Sequence, residues 1–150
     1  NIMKKLYPLI LAFCFGIVLQ AQTEADWLVN MDDAKTLATD EGYPILISFS
    51  GSDWCGNCMR LSKELFETED FLEYANENLV LLNLDFPAKK ANKLSEELSV
   101  QNDKFAEIYN KQGVFPLTIV VNAEGELMGK VKYPSSSVQG YLDSINDIIH

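Results

Sequence analysis

Cys55 and Cys58 are separated by two residues in the run Trp54-Cys55-Gly56-Asn57-Cys58. That spacing points directly to thiol chemistry. A short apolar run, Ile45–Phe49, precedes the pair through a Ser50–Asp53 loop. Helical spacing of Leu61, Leu65 and Phe66 follows it. Cys55 is therefore expected at a helix N-terminus, where free backbone N–H groups and the helix dipole favour an anion. A thiolate there should titrate below an ordinary cysteine, and the thiolate is the nucleophile of disulfide exchange. Cys58, one turn inward, is placed to attack a mixed disulfide formed at Cys55 and release the product. Gly56 is expected to allow a tight turn between the sulfurs.

Other uses of the pair stay open on these residues alone. A structural zinc site wants four Cys or His ligands. Beyond residue 21 the chain offers Cys55, Cys58 and the terminal His150. A purely structural disulfide would close so small a loop that it stabilises weakly. A copper-handling dithiol would use the soft sulfur of Met59, next to Cys58, in a binding module without turnover.

The elements that must position the cysteines follow from periodicity. Met31–Glu41 reads as a helix with Met31, Ala34, Leu37 and Ala38 along one side, ended by Gly42 and Pro44. Ile45–Phe49 and Leu79–Asp85 read as strands buried on both faces. A helix is expected from Cys58 to about Glu67 and another over Glu69–Asn78. Residues 86–101 read as a polar loop with room for a short helix, and Asn102–Asn110 as a helix. Leu117–Val121 and Glu126–Tyr133 are expected to pair across an Asn122–Gly125 turn. Pro134 starts a Ser-rich cap. Val138, Tyr141, Leu142, Ile145, Ile148 and Ile149 stripe a terminal helix. Alternating strands and helices closed by a hairpin imply an α/β fold, a mixed sheet with helices on both faces.

The 150 residues carry 22 acidic and 12 basic side chains, a net charge of −10, with 47% hydrophobic residues. That composition belongs to one globular domain. The acidic balance argues against a nucleic-acid partner, which needs Lys and Arg for its phosphates.

Lys4 and Lys5 precede an uncharged apolar run of 14 residues, Leu6–Leu19, and Ala21 follows. A membrane-spanning helix needs about 20 residues. The pattern is that of a secretory signal peptide over residues 1–21, leaving a domain over 22–150. Its removal takes Cys14 away and leaves 129 residues of net charge −12. Export to the periplasm or cell envelope of a bacterium follows, where disulfides persist.

Pro44–Phe49 followed by Ser50-Gly51-Ser52-Asp53-Trp54-Cys55-Gly56-Asn57-Cys58 resembles the thioredoxin superfamily. So do Glu64-Leu65-Phe66, Leu79–Phe86 and Gly113-Val114-Phe115-Pro116. The resemblance covers roughly residues 26–149 and is nearest to exported thioredoxin-related proteins like the C-terminal domain of DsbD. It implies a thioredoxin fold and a thiol–disulfide oxidoreductase with Cys55 and Cys58 as catalytic residues. Trp54, Gly56, Asn57, Phe115 and Pro116 would form the substrate-binding surface. Pro116 would be the family's cis-proline, opposite the dithiol, and Phe115 would offer backbone groups to an extended substrate. The resemblance implies no metal or organic cofactor. The partners implied are protein disulfides and a membrane electron donor. Two departures stand out. The family's buried acid and its lysine partner match Ser48 and Leu81, leaving Asp53 as the nearest carboxylate in sequence. Asn57, uncharged, replaces the proline or histidine of relatives. The direction stays open among reductase, isomerase and oxidant; reducing or isomerising protein disulfides is expected, and the absence of oxidant-like features favours the reductase.

Overall fold

A computed structural model describes residues 26–133 and 137–150. The expected signal segment and the start of the Ser-rich cap lie outside the described residues.

The two aliphatic runs form the centre of the sheet. Strand β1 (Ile45–Ser50) pairs in parallel with β2 (Val80–Asp85), and Ile45 faces Val80 in register. On its other side β1 pairs antiparallel with β3 (Leu117–Val121), which pairs antiparallel with β4 (Leu127–Lys130). The strand order is β2-β1-β3-β4. The chain just before the first helix extends the sheet beyond β2, through a bridge of Leu28 to Leu82. This is the expected thioredoxin-like α/β architecture.

Helix boundaries are set by caps. Helix α1 (Met31–Glu41) starts where the Asn30 side chain accepts from the N–H groups of Asp32 and Asp33. It ends at Gly42, whose φ of 74° suits a residue without Cβ. Helix α3 (Glu69–Asn78) is capped by Thr68, and α5 (Val138–Ile149) by Ser137. Along α1, Met31, Ala34 and Ala38 are buried, while Leu37 lies at the margin of the stripe and is exposed.

Between α1 and α3 runs α2 (Gly56–Leu61), continued by a π-helical turn over Ser62–Phe66. The expected helix thus starts two residues earlier than Cys58, and its last turn is wider than an α-helix.

Two apolar layers cover the sheet. Leu46, Leu81 and Val120 face α2, α3 and α5, packing with Leu61, Leu65, Phe71, Leu142 and Ile145. Ile45, Ile47, Phe49, Leu82, Leu84 and Ile119 face the other way, onto Met31 and Ala34 of α1 and onto Phe105 and Tyr109.

Two expectations change. Residues 96–101 are not loop. They are the first part of a 14-residue helix, α4 (Glu96–Tyr109), capped by Ser95 and preceded by a short 3-10 turn at Lys90–Asn92. The fourth strand is shorter than Glu126–Tyr133: it runs over Leu127–Lys130, with a register irregularity near its start opposite Val120 and Val121 and one further bond from the Val131 N–H to the Thr118 carbonyl.

Candidate active site

The dithiol stands where β1 ends and α2 begins, at the carboxyl end of the sheet. Cys55 and Cys58 are joined as a disulfide with Cα atoms 5.2 Å apart. Cys55 is the N-cap of α2. Its Sγ accepts the backbone N–H of Cys58 at 3.2 Å. The helix end therefore presents a donor to this sulfur. Both cysteines are largely covered, at 6% and 7% exposure.

Gly56 is the first residue of α2, and Asn57 follows it in exposed helix. The turn between the sulfurs does not depend on glycine. Gly56 is absent from the positive-φ glycines, and a Cβ there would meet nothing within 4 Å. The sulfurs come together through ordinary helical geometry, in which positions three apart are neighbours.

The Phe115–Pro116 peptide bond is cis. Pro116 starts the approach to β3 and lines the same cavity as Cys58. Lacking an N–H, it leaves no donor of its own to satisfy there. Trp54 is 49% exposed and crosses Phe115 edge-on at 5.4 Å. Phe115 in turn crosses Phe86 at 5.4 Å, and Phe86 stacks on the buried Phe49 at 6.4 Å. Pro116 thus shares a cavity with Cys58, while Trp54, next to Cys55 in the chain, and Phe115 head an aromatic wall running down into the core.

The loop before the dithiol is tied to the chain after β2 by two carboxylates. Asp85 accepts from the Ser52 N–H at 2.8 Å and the Ser50 hydroxyl at 3.3 Å. Asp53 accepts from the N–H groups of Ala88 at 2.8 Å and Lys89 at 3.0 Å and from the Asn92 amide at 3.0 Å. The Trp54 indole N–H donates to the Phe86 carbonyl at 2.7 Å. Gly51 is required here, because a Cβ would run into the Trp54 ring.

Asp53 is therefore a strap for residues 88–92. The Ala88 and Asn92 donors, with Lys89, hold its carboxyl below the ordinary range. A depressed folded-state value means that Asp53 stabilises the fold above the unfolded value, about 3.9, and loses this as pH falls through the folded value. The stability difference between wild type and Asp53→Asn is expected to be constant above about pH 5 and to fade below about pH 4. Urea titrations from pH 3 to 7 check this; a gap that persists undiminished at pH 3 removes the electrostatic account.

Under α2 the sheet face changes character. The row Leu81–Leu46–Val120 is aliphatic. The next row toward the dithiol is Asn83–Ser48–Thr118, and the last pairs Asp85 with Ser50. Ser48 is only 4% exposed. It faces a cavity of about 410 Å³ that Ser50, Asn83, Cys58, Pro116 and Glu67 also line. Among the described residues no three His, Cys, Asp or Glu side chains gather closely enough to hold a metal ion.

A family model described as thioredoxin-like matches residues 26–123. The chain belongs to this thioredoxin-like family. It is 26% identical over 106 residues to the disulfide bond reductase DsbH of Chlamydia pneumoniae, covering 71% of this chain and 62% of that protein. The chain thus spans somewhat under two thirds of the length of this relative. A solved structure of a DsbH oxidoreductase superposes with a TM-score of 0.75 at 23% identity, over 85% of this chain and 87% of that one. A disulphide isomerase from Xylella fastidiosa superposes with a TM-score of 0.59 at 19% identity, over 89% and 99%. The likeness to thioredoxin-related proteins noted in residues 26–149 stands. No described helix is long and apolar enough to cross a membrane.

Proposed function

We propose that this chain is a thiol–disulfide oxidoreductase of the bacterial cell envelope that reduces protein disulfides. The observation that carries it is the Cys55–Cys58 disulfide at the α2 N-terminus, with the Cys58 N–H on Cys55 Sγ. In the reduced protein Cys55 attacks a substrate disulfide and Cys58 resolves the mixed disulfide. The chain ends as the oxidised pair, and the substrate leaves as a dithiol. Trp54, Phe115 and Pro116 form the surface that receives an extended substrate segment; Gly56 and Asn57 border the sulfurs. A membrane electron donor returns the pair to the dithiol. The signal pattern over residues 1–21 supports export of a domain spanning 22–150. The name of the DsbH relative, a disulfide bond reductase, supports the direction.

Direction is a matter of potential. Equilibration against glutathione ratios, with free thiols trapped, is expected to give a value near that of thioredoxin, about −270 mV. A value near that of DsbA, about −120 mV, reverses the proposed direction.

A further inference from the structure

The resolving step needs a thiolate at Cys58, yet Cys58 is covered and its own N–H serves Cys55. A covered thiol needs a nearby group to take its proton if it is to react as the thiolate. Cys58 lines the cavity under α2, which offers its proton a way out. Among the residues lining that cavity, Cys58 and Glu67 are the two that titrate; Ser48, Ser50, Ser52, Ser62 and Asn83 are neutral and polar. Asp85 does not line the cavity itself; it meets the lining through Ser50 and Ser52, accepting from both hydroxyls and from the Ser52 N–H. Arg60 and Lys63 lie on the same helical segment and are exposed.

Glu67 is brought to the cavity by the π turn. Ser62 lies one turn beyond Cys58, its N–H bonded to the Cys58 carbonyl. Glu67 is five residues beyond Ser62. In a continuous α-helix, with 3.6 residues per turn, that offset points well away around the cylinder. Here the Glu67 N–H bonds to the Ser62 carbonyl at 2.9 Å, and the Ser62 hydroxyl donates to Glu67 Oε1 at 2.9 Å. The wider turn stacks Cys58, Ser62 and Glu67 along one side of the cavity. A hydroxyl that donates to a carboxylate keeps its lone pairs to accept a proton. Single π turns recur at functional sites.

We propose that Glu67, acting through Ser62, takes the proton of Cys58 during resolution. This rests on the oxidoreductase function proposed above. The step starts from Cys55–S–S–R, the Cys58 thiol and the Glu67 carboxylate. The Cys58 proton passes to Glu67, and the Cys58 thiolate attacks Cys55 Sγ. The Cys55–Cys58 bond forms, the bond to R breaks, and R leaves as a thiolate with the electron pair. Glu67 then returns its proton to the departing thiolate or to solvent. Over both steps the substrate disulfide gains two electrons and the cysteine pair loses two. Glu67 touches neither sulfur, so it is a positioning residue.

The test is stopped-flow reaction of the reduced protein with one equivalent of 5,5′-dithiobis(2-nitrobenzoate). Attack by Cys55 releases the first thionitrobenzoate in a concentration-dependent phase. Resolution by Cys58 releases the second in a concentration-independent phase. For Glu67→Gln the second phase is expected to slow on the order of a hundredfold near pH 6.5. The deficit should shrink to within about twofold near pH 9.5, where bulk base ionises an ordinary thiol. The first phase should be unchanged, Glu67→Asp should recover part of the loss, and Ser62→Ala should reproduce part of it. A second phase that superimposes on wild type overturns the proposal. So does a deficit equal at every pH, which marks a displaced helix. If the wild type shows neither phase, the oxidoreductase function fails and this proposal falls with it.

Discussion

Cys55→Ser is expected to lose disulfide exchange with a model peptide by more than about a thousandfold, as removal of a covalent nucleophile does. Cys58→Ser is expected to keep the first attack and accumulate as a mixed disulfide. Exposure alone does not assign these roles, since the two sulfurs are almost equally covered. The polarity around them does. Cys55 caps α2 and receives a backbone donor, so negative charge on its sulfur is stabilised where it stands. Cys58 stands inside the first turn above a polar cavity, where it reaches Cys55 but is poorly placed to meet a protein substrate first. Mass spectrometry after mixing each variant with a peptide disulfide separates the cases. Should Cys58→Ala lose the first attack while Cys55→Ala forms the adduct, the assignment is reversed.

The parts of this site legible in the sequence are those with local causes. Ile45–Phe49 is a strand because a short, β-branched apolar run can be buried on both faces, and it ends where Ser50 to Asp53 begin. The position of the cysteine pair at a helix start follows from the strand, the loop and the spacing of Leu61, Leu65 and Phe66. The start of α4 was harder to see. Its only buried residue is Asn102, whose amide donates to the Asp85 carbonyl, so the helix carries little apolar periodicity. The available signal was the cap, Ser95 followed by Glu96 and Glu97. The straps of Asp53 and Asp85 join residues about 35 positions apart, a pairing no local pattern encodes. The polar row beneath α2 did leave a trace, in Ser48 and Asn83 interrupting two otherwise aliphatic strands. The π turn left none: no local pattern in Ser62–Phe66 marks the wider turn that buries Leu65 and Phe66 and sets exposed Glu67 at the cavity rim. Gly56 misled because glycine between two cysteines invites a turn argument that helical geometry makes unnecessary.

Phe49→Ala is expected to cost about 3–5 kcal/mol of stability, a large share of the roughly 5–15 kcal/mol that holds a domain of this kind together. Phe49 is fully buried in the central strand, packed on the α1 side of the sheet. Truncation there removes a ring and leaves a cavity that two flanking strands cannot collapse into. Urea unfolding checks the magnitude, with an unchanged slope as the sign that the unfolded state is not what moved. A loss under about 1 kcal/mol would show that the site repacks, contrary to a close-packed core. The same residue supports the dithiol face. Phe49 stacks on Phe86, Phe86 crosses Phe115, and Phe115 crosses Trp54, whose indole N–H is fixed on the Phe86 carbonyl. Phe49→Leu keeps most of the buried volume and should cost about 1 kcal/mol, but it removes the ring on which Phe86 rests. Its exchange with a small disulfide should match wild type, because the cysteines and their N-cap bond are untouched. Its exchange with a peptide disulfide should fall, because Trp54 and Phe115 lose their backing. If both substrates react at wild-type rates, the aromatic wall does not receive the substrate, and recognition lies on the Pro116 side of the sulfurs.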